Sequence, residues 1–289
     1  MGYALAVDFA TAAANACAMT RIAICAPARP ITRAIADAVT VLARSAMPRA
    51  ELFFHPQCFV EQGHFAGDDA TRLAALLECA NDPGSDAVWI ARGGYGSNRI
   101  AAAAVAAMSP AARDKTFLGY SDGGYLLAAL YRAGVGRPAH GPMPVDSAKP
   151  GGEAAIRRAL GWLCGEDAVD TLEPSLDRQP AVAFNLTTLA MLVGTPLMPD
   201  LAGHVVMVEE VAEHLYAIDR LFFTLMPHLA GIAGLRLGRV SDVPGNDRPF
   251  GATAQDIARD WCRRAGIPYL GTADIGHDAA NRVVPFGLA

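Results

Sequence analysis

The sequence predicts an α/β protein: a parallel sheet wrapped by helices in the first half, and a further, smaller domain in the second. Three observations carry that expectation. Between Arg21 and Met143, short and nearly continuous apolar runs alternate with stretches of helical period, the pattern of strands buried on both faces and joined by crossover helices. Glycine-rich turns follow two of those runs, at Arg92-Gly93-Gly94-Tyr95-Gly96 and at Gly119-Tyr120-Ser121-Asp122-Gly123. A polar stretch bearing Pro and Gly, from Val145 to about Gln179, then separates a second set of apolar runs. It reads as a linker over 146–179 between domains of 21–145 and 180–289.

The elements follow in order. Residues 1–20 read as an alanine-rich extension; Asp8 and the lack of a positively charged opening argue against an export signal. Arg21 to Cys25 is a first strand, and Thr32 caps a helix that runs to Ala46. Leu52 to Phe54 reads as a second strand, Asp69 to Asn81 as a helix capped by Asp68 or Asp69, and Asp86 to Ala91 as a third strand. The first glycine-rich turn leads into a helix over Ile100–Met108, and the strand Thr116–Tyr120 leads through the second turn into a helix opening at Tyr125. Arg137 to Met143 looks like the end of another strand, and one short helix, Glu153 to Leu163, interrupts the linker. The second domain opens with a strand at Ala181–Asn185 and a helix at Leu186–Leu192 closed by Gly194 and Pro196. His204 to Glu210 alternates into two carboxylates, and Glu213 to Met226 is the strongest amphipathic helix, its Tyr216, Asp219 and Arg220 reading as a structural cluster. Leu235–Val240, Ala254–Ala265 and Ile267–Leu270 read as strand, helix and strand.

Composition narrows the function. With 289 residues the chain can fill two cores, and its apolar runs are too short for a membrane span. A net charge of −5 and no Lys/Arg cluster exclude a nucleic-acid surface, which needs a concentrated basic footprint; a small ligand fits better. The six cysteines form no C-x-x-C pair and no zinc-type cluster with histidine, so reduced thiols, a cytoplasmic location and no metal are expected.

Five places carry possible chemistry. Gly119 to Gly123 is a G-x-S-x-G where a strand hands over to a helix, a turn that holds a serine hydroxyl clear of the sheet at a helix N-terminus. Ser121 is then a nucleophile; the competing reading is a Ser-Asp helix cap with flexible glycines. Arg92 to Gly96 falls at the carboxyl end of another strand, where ligands gather in parallel sheets. Its backbone N–H groups are candidates for an oxyanion hole, against a plain tight turn or a phosphate loop, although R-G-G-Y-G matches neither G-x-G-x-x-G nor the Walker pattern. His140 stands at a strand end facing the same rim, as a rival general base or as a structural histidine bonded to backbone. Glu209 shares a strand face with Met207 and Val205, and Glu210 the other face with Val208 and Val206. One carboxylate therefore points among apolar side chains and can orient a histidine, unless the pair is a solvated strand end or a helix cap. His277 lies in a loop behind Gly276 with Asp274 and Asp278 close by, as a base or as an exposed loop histidine.

Taken together, RGGYG, GYSD at a strand-to-helix turn, HGPM, VEEVAEHLYAIDR and IGHDAANRVVPFG, in this order from Arg21 to Gly287, resemble the LD-carboxypeptidase family of serine peptidases. That family includes muramoyl-tetrapeptide carboxypeptidases and microcin C self-immunity hydrolases. The resemblance implies a flavodoxin-like N-terminal domain, a mostly β C-terminal domain, an active site in the cleft between them, and a homodimer. It makes Ser121 the nucleophile, Glu209 the acid and His277 the base, with N–H groups of Gly94 and Asp122 as oxyanion donors. Arg92, Gly93, Tyr95, His140 and Asn185 are the candidate substrate contacts. The implied reaction uses no cofactor. It is metal-free hydrolysis of the amide between an L-centre of meso-diaminopimelate and a terminal D-alanine in recycled peptidoglycan tetrapeptide, or of a microcin-type acyl-amide.

Three departures bear on the substrate. Where relatives often carry Gly-Gly-Asn-Leu-Ser, this chain has Ala183-Phe184-Asn185-Leu186-Thr187, and the added bulk is expected to narrow or reshape the pocket. Glu210 replaces the aspartate that follows the acid, and Ala26-Pro27-Ala28 lacks the serine of A-P-S. Two readings from other classes stay open: a non-catalytic two-lobed protein that closes on a small ligand, and a phosphate-handling enzyme using Arg92 to Gly96, for which lysine and acidic ligands are missing.

Overall fold

The structure, a computed structural model, describes residues 19–166, 170–177 and 179–287. Most of the expected N-terminal extension, with Cys17, lies outside the described residues. The first half alternates as its apolar runs require: β1 (Thr20–Cys25), α1 (Arg33–Ala46), β2 (Ala50–Phe54), α2 (Asp69–Asn81), β3 (Ala87–Ile90), α3 (Ser97–Ala107), β4 (Thr116–Gly119), α4 (Gly124–Ala133) and β5 (Arg137–His140). Local chemistry starts the helices. Thr32 Oγ1 accepts from the Ile35 N–H at 3.3 Å, and Asp68, the cap used of the two candidates, accepts from the Thr71 N–H at 2.8 Å.

Strands β2-β1-β3-β4-β5 pair in parallel in that order, and β10 (Val284–Pro285) returns from the end of the chain to pair antiparallel with β5. This is the flavodoxin-like winding, whose order reverses between β1 and β3. Strands β3 and β4 are buried along their whole length, which explains why their sequences are continuously apolar. One face of the sheet carries α1 and α5 (Gly152–Leu163), with Ile22, Ile24, Trp89, Val39 and Leu160 in a common core. The helix within the segment expected as a linker is thus packed on the first sheet. The other face carries α2, α3 and α4.

The second half contains β6 (Ala181–Asn185), α6 (Leu186–Leu192), β7 (Val205–Val211), α7 (Leu215–Leu225), β8 (Gly234–Ser241), α8 (Ala254–Ala265) and β9 (Tyr269–Thr272). Its strands form a separate parallel sheet in the order β6-β7-β8-β9. The expected sheet is there, and helices accompany it, so the half described as mostly β is α/β as well. The reason is burial: β6 is buried throughout and β7 nearly so, and strands covered on both faces need helices to cover them. Leu126, Leu127 and Leu130 from α4 share one core with Phe184, Leu189, Val208 and Phe222, so apolar packing joins the two sheets. The five described cysteines are free, and no helix among the described residues is long and apolar enough to cross a membrane.

Candidate active site

Strand β4 ends at Gly119, and the chain makes a 3-10 turn over Ser121–Gly123 before α4 begins. Ser121 has φ of +58°, the left-handed region that residues with a Cβ rarely enter. Such strain costs about 1–3 kcal/mol and persists only where neighbours enforce it. Here the Ser97 hydroxyl donates to the Asp122 carbonyl, the Gly123 N–H donates to Tyr120 O at 3.0 Å, and Thr188 Oγ1 donates to Asp122 Oδ1 at 3.3 Å. The first glycine-rich turn comes against this one: a Cβ added to Gly93 would lie 2.7 Å from Ser121 Cβ and 3.0 Å from its Oγ. Gly94, beside it, has φ of +94°, so the turn needs glycine there on backbone grounds as well.

The expected acid and base come from the second half, Glu209 on β7 and His277 in the loop after β9. Strands β7 and β8 run in register to Val208–Leu237 and resume at Glu210–Val240, so a β-bulge puts Gly238 and Arg239 opposite Glu209. A Cβ on Gly238 would lie 2.8 Å from Ile275 O and 3.0 Å from Glu209 Cβ. Only a glycine lets the loop carrying His277 lie down on the acid. His277 Nδ1 meets Glu209 Oε2 at 2.5 Å. Glu209 is fully buried, and burial raises its pKa while the bond to His277 opposes the rise. With Nδ1–H given to Glu209, Nε2 is left as the free acceptor of the ring.

His277 lies beside Tyr120, the residue that precedes Ser121. Its ring centroid is 5.0 Å from that of Tyr120. Burial raises the pKa of Asp122, while the Thr188 hydrogen bond and the His277 charge lower it. In its described hydrogen bonds the His277 ring meets Glu209 and its carbonyl accepts from Lys149 Nζ, and Ser121 Oγ is not among its partners. The expected aspartates serve the loop rather than the imidazole. Asp274 and Asp278, one on each side of His277, both pair with Arg239, the latter with Nη2 at 2.9 Å.

A network below the imidazole escaped sequence reasoning. Tyr120 OH donates to Asp146 Oδ1 at 2.8 Å and accepts from Lys149 Nζ at 2.9 Å, while Lys149 also donates to His277 O at 2.7 Å. A lysine from the expected linker therefore ties the loop of His277 to the residue preceding Ser121. Nothing in the sequence singles out Lys149, Thr188 or Gly238; the three-residue spacing of Asp146 and Lys149 is the one cue, and it is a common one.

Three expectations need correction. His140 is 1 % exposed, and its Nε2 donates to Asn281 Oδ1 at 3.1 Å, the oxygen that also accepts the Gly276 N–H at 3.1 Å. Burial pulls its pKa down to about 4. It is a neutral support for the His277 loop, neither a rival base nor a surface for substrate. Asn185 is likewise buried, capping α6 by accepting from the Thr188 N–H at 3.1 Å and donating to Glu210 Oε1 at 2.7 Å. Glu210 in turn takes the N–H and hydroxyl of Thr187, which explains why it and not Glu209 is committed to structure. The bulk of Phe184 does not narrow a pocket. It is 1 % exposed and packs on Phe286 at 5.0 Å within the core between the sheets. Of the other candidate contacts, Tyr95 is exposed beside Phe65, and Arg92 is half-buried at the glycine turn.

Comparison with known proteins follows both halves. The LD-carboxypeptidase N-terminal domain matches residues 22–141, and the LD-carboxypeptidase C-terminal domain matches residues 180–289. The murein tetrapeptide carboxypeptidase of Pseudomonas aeruginosa is 26 % identical over 285 residues, covering 92 % of this chain and 91 % of its own. The crystal structure of muramoyltetrapeptide carboxypeptidase from Oxalobacter formigenes is similar with a TM-score of 0.74 at 23 % identity, over 93 % of each chain. The microcin C7 self-immunity protein MccF in its wild-type apo state is similar with a TM-score of 0.74 at 17 % identity, over 93 % of this chain and 91 % of that one. At these identities the structural likeness is one of fold. The first matched segment includes Ser121 and the second includes Glu209 and His277, and the chain belongs to the LD-carboxypeptidase family of peptidases.

Proposed function

We propose that this enzyme is a serine LD-carboxypeptidase that hydrolyses the amide between meso-diaminopimelate and the terminal D-alanine of murein tetrapeptide, acting in cytoplasmic peptidoglycan recycling as a homodimer. The observation that carries the reading is the 2.5 Å Glu209–His277 contact, set against the strained turn of Ser121. A relative named a murein tetrapeptide carboxypeptidase, similar over nearly the whole chain, supports the substrate class.

In this mechanism Ser121 Oγ attacks the carbonyl carbon as its proton passes to His277 Nε2. Glu209 holds Nδ1–H and balances the imidazolium charge that forms. The carbonyl electron pair moves onto oxygen, where N–H groups of Gly94 and Asp122 meet it. His277 then returns the proton to the D-alanine nitrogen, the C–N bond breaks, and the tripeptide is left as an ester on Ser121. Water gives a proton to His277 and attacks that ester, releasing the tripeptide acid and restoring the serine.

The test incubates purified protein with UDP-MurNAc tetrapeptide and, separately, with an aminoacyl sulfamoyl adenylate, and measures the amino acid released. Wild type releases D-alanine, and Ser121→Ala and His277→Ala lower kcat by roughly 10³-fold or more. Release from the adenylate alone assigns the chain to the microcin-type chemistry, and release from neither defeats both. Sedimentation of the purified chain reads the dimer.

A further inference from the structure

Two cations at the glycine turn beside Ser121 have no role in the acyl transfer. Arg29 follows β1 and Arg92 follows β3, the neighbouring strands between which the sheet order reverses. Open parallel sheets bind ligands at that point, beyond the carboxyl ends of the strands. The aliphatic part of Arg29 runs along Gly94: a Cβ placed on Gly94 would lie 2.4 Å from Arg29 Cδ and 3.0 Å from its Cγ. Arg92 stands two residues before Gly94. Its Nη1 has the Pro30 carbonyl at 3.4 Å, and its Nε is buried without a partner. The two charges sense each other, since burial first and then Arg29 lower the pKa of Arg92, against an upward pull from Asp146.

Among the described residues neither guanidinium is salt-bridged, whereas Arg72, Arg99, Arg239 and Arg282 each pair with a carboxylate. The loops that carry the pair are held rigidly. Arg72, fully buried, donates to Pro27 O and, at 2.8 Å, to Gly96 O, so one side chain pins both loops. Gln57 accepts from the Ala26 N–H at 3.1 Å and donates to Ala26 O at 2.8 Å. Two guanidinium groups carried on adjacent loops, neither with a counter-ion among the described residues, favour an anion that both can reach. A guanidinium fork matches a carboxylate in particular.

Ser121 fixes where that carboxylate belongs. Gly93 touches Ser121 and Gly94 touches the aliphatic part of Arg29, so the nucleophile and the stem of one cation lie against consecutive residues of the turn that also carries Arg92. In a peptide the terminal carboxylate carbon is only two bonds, roughly 2.5 Å, beyond the scissile nitrogen. Resting on the hydrolytic reading above, we propose that Arg29 and Arg92 bind the free α-carboxylate of the leaving residue and thereby confine cleavage to the last amide bond of the substrate.

The experiment titrates Ser121→Ala protein by calorimetry with three ligands: murein tetrapeptide, the same peptide amidated at the D-alanine carboxylate, and the same peptide amidated at the free diaminopimelate carboxylate. Terminal amidation is expected to weaken binding about tenfold or more, and amidation of diaminopimelate by less than about twofold. Adding Arg29→Gln or Arg92→Gln should bring the acid and its terminal amide within about twofold of each other. Arg29 is exposed, so its variant keeps the fold and the comparison. Sensitivity to diaminopimelate amidation alone assigns the pair to a side-chain carboxylate and overturns the proposal. Equal binding of acid and terminal amide, an unchanged ratio in both arginine variants, or no binding overturns it too. Binding is read without turnover, so a preserved carboxylate preference in a protein that hydrolyses nothing defeats the catalytic reading and not this one.

Discussion

Glu209 and His277 stand 68 residues apart in the chain and 2.5 Å apart in space, and their contact depends on a position, Gly238, that has no side chain. Burying a carboxylate so completely costs free energy that one hydrogen bond offsets only in part. What the arrangement secures is orientation: a buried acceptor on Nδ1 leaves one tautomer, with Nε2 turned free.

Replacing the acid separates that role from stability. A carboxyl whose pKa is raised in the fold binds its proton more tightly folded than unfolded, so its ionisation subtracts stability as pH climbs above the ordinary value of 4.5. Glutamine carries no such charge. The stability of Glu209→Gln relative to wild type is expected to improve from about pH 4 towards about pH 7. Over the same range kcat should fall about 10³–10⁴-fold, because an amide N–H facing Nδ1 selects the wrong tautomer. Paired melting curves and rates across that range check both, and a variant that loses relative stability with rising pH contradicts the burial argument.

Ser121 should trade stability for its conformation. Glycine adopts φ of +58° without penalty, so Ser121→Gly is expected to gain about 1 kcal/mol and raise Tm by roughly 2–4 °C while abolishing turnover. Ser121→Ala keeps the Cβ and should lose turnover with no such gain. Thermal scans of the two variants side by side decide the matter; equal melting temperatures would place the strain elsewhere.

Gly238→Ala introduces a methyl group 2.8 Å from a backbone oxygen, where no side-chain rotation relieves the clash. The loop that carries His277 must shift off Glu209. We expect kcat to fall about tenfold to a hundredfold with KM nearly unchanged, since proton transfer is lost rather than binding. Steady-state kinetics on the tetrapeptide distinguish this from a general loss of folded protein.

Acid sensitivity should trace to His140. Burial lowers its pKa from 6.5 to about 4, so between those values the unfolded chain takes up a proton that the folded chain refuses. Stability therefore falls as pH drops through that window, by on the order of 3 kcal/mol at its foot. His140→Gln removes the titration, and urea midpoints at about pH 4.5 and about pH 7 should then lie closer together than in wild type. An unchanged gap would locate the acid response in another group.

Much of the fold was legible because it follows from local physics. Apolar runs bounded by glycine and proline marked β3, β4 and β6, and side chains able to accept a first-turn N–H marked Thr32 as one cap and Asp68 or Asp69 as another, of which Asp68 serves. The strand-to-helix setting of Gly119–Gly123 pointed to a special turn, and the backbone of Ser121 is indeed left-handed. Alternation could not choose between Glu209 and Glu210, because β7 is covered on both faces and both carboxylates are buried. The choice came from partners, with Glu210 taken by Asn185 and Thr187 and Glu209 by His277.

By itself, then, the amino-acid order determined the strands, the caps, the two glycine turns and the short set of side chains able to do acyl chemistry. All of these depend on interactions within a few residues. Only the tertiary structure decided that a bulge opposite Glu209 admits the His277 loop, that Phe184 turns into the core, that Lys149 bridges Tyr120 to His277, and that Arg29 comes to lie along Gly94. Those relationships join residues far apart in the chain, and they exist because two sheets share one apolar core that holds the turns of one half against the loops of the other.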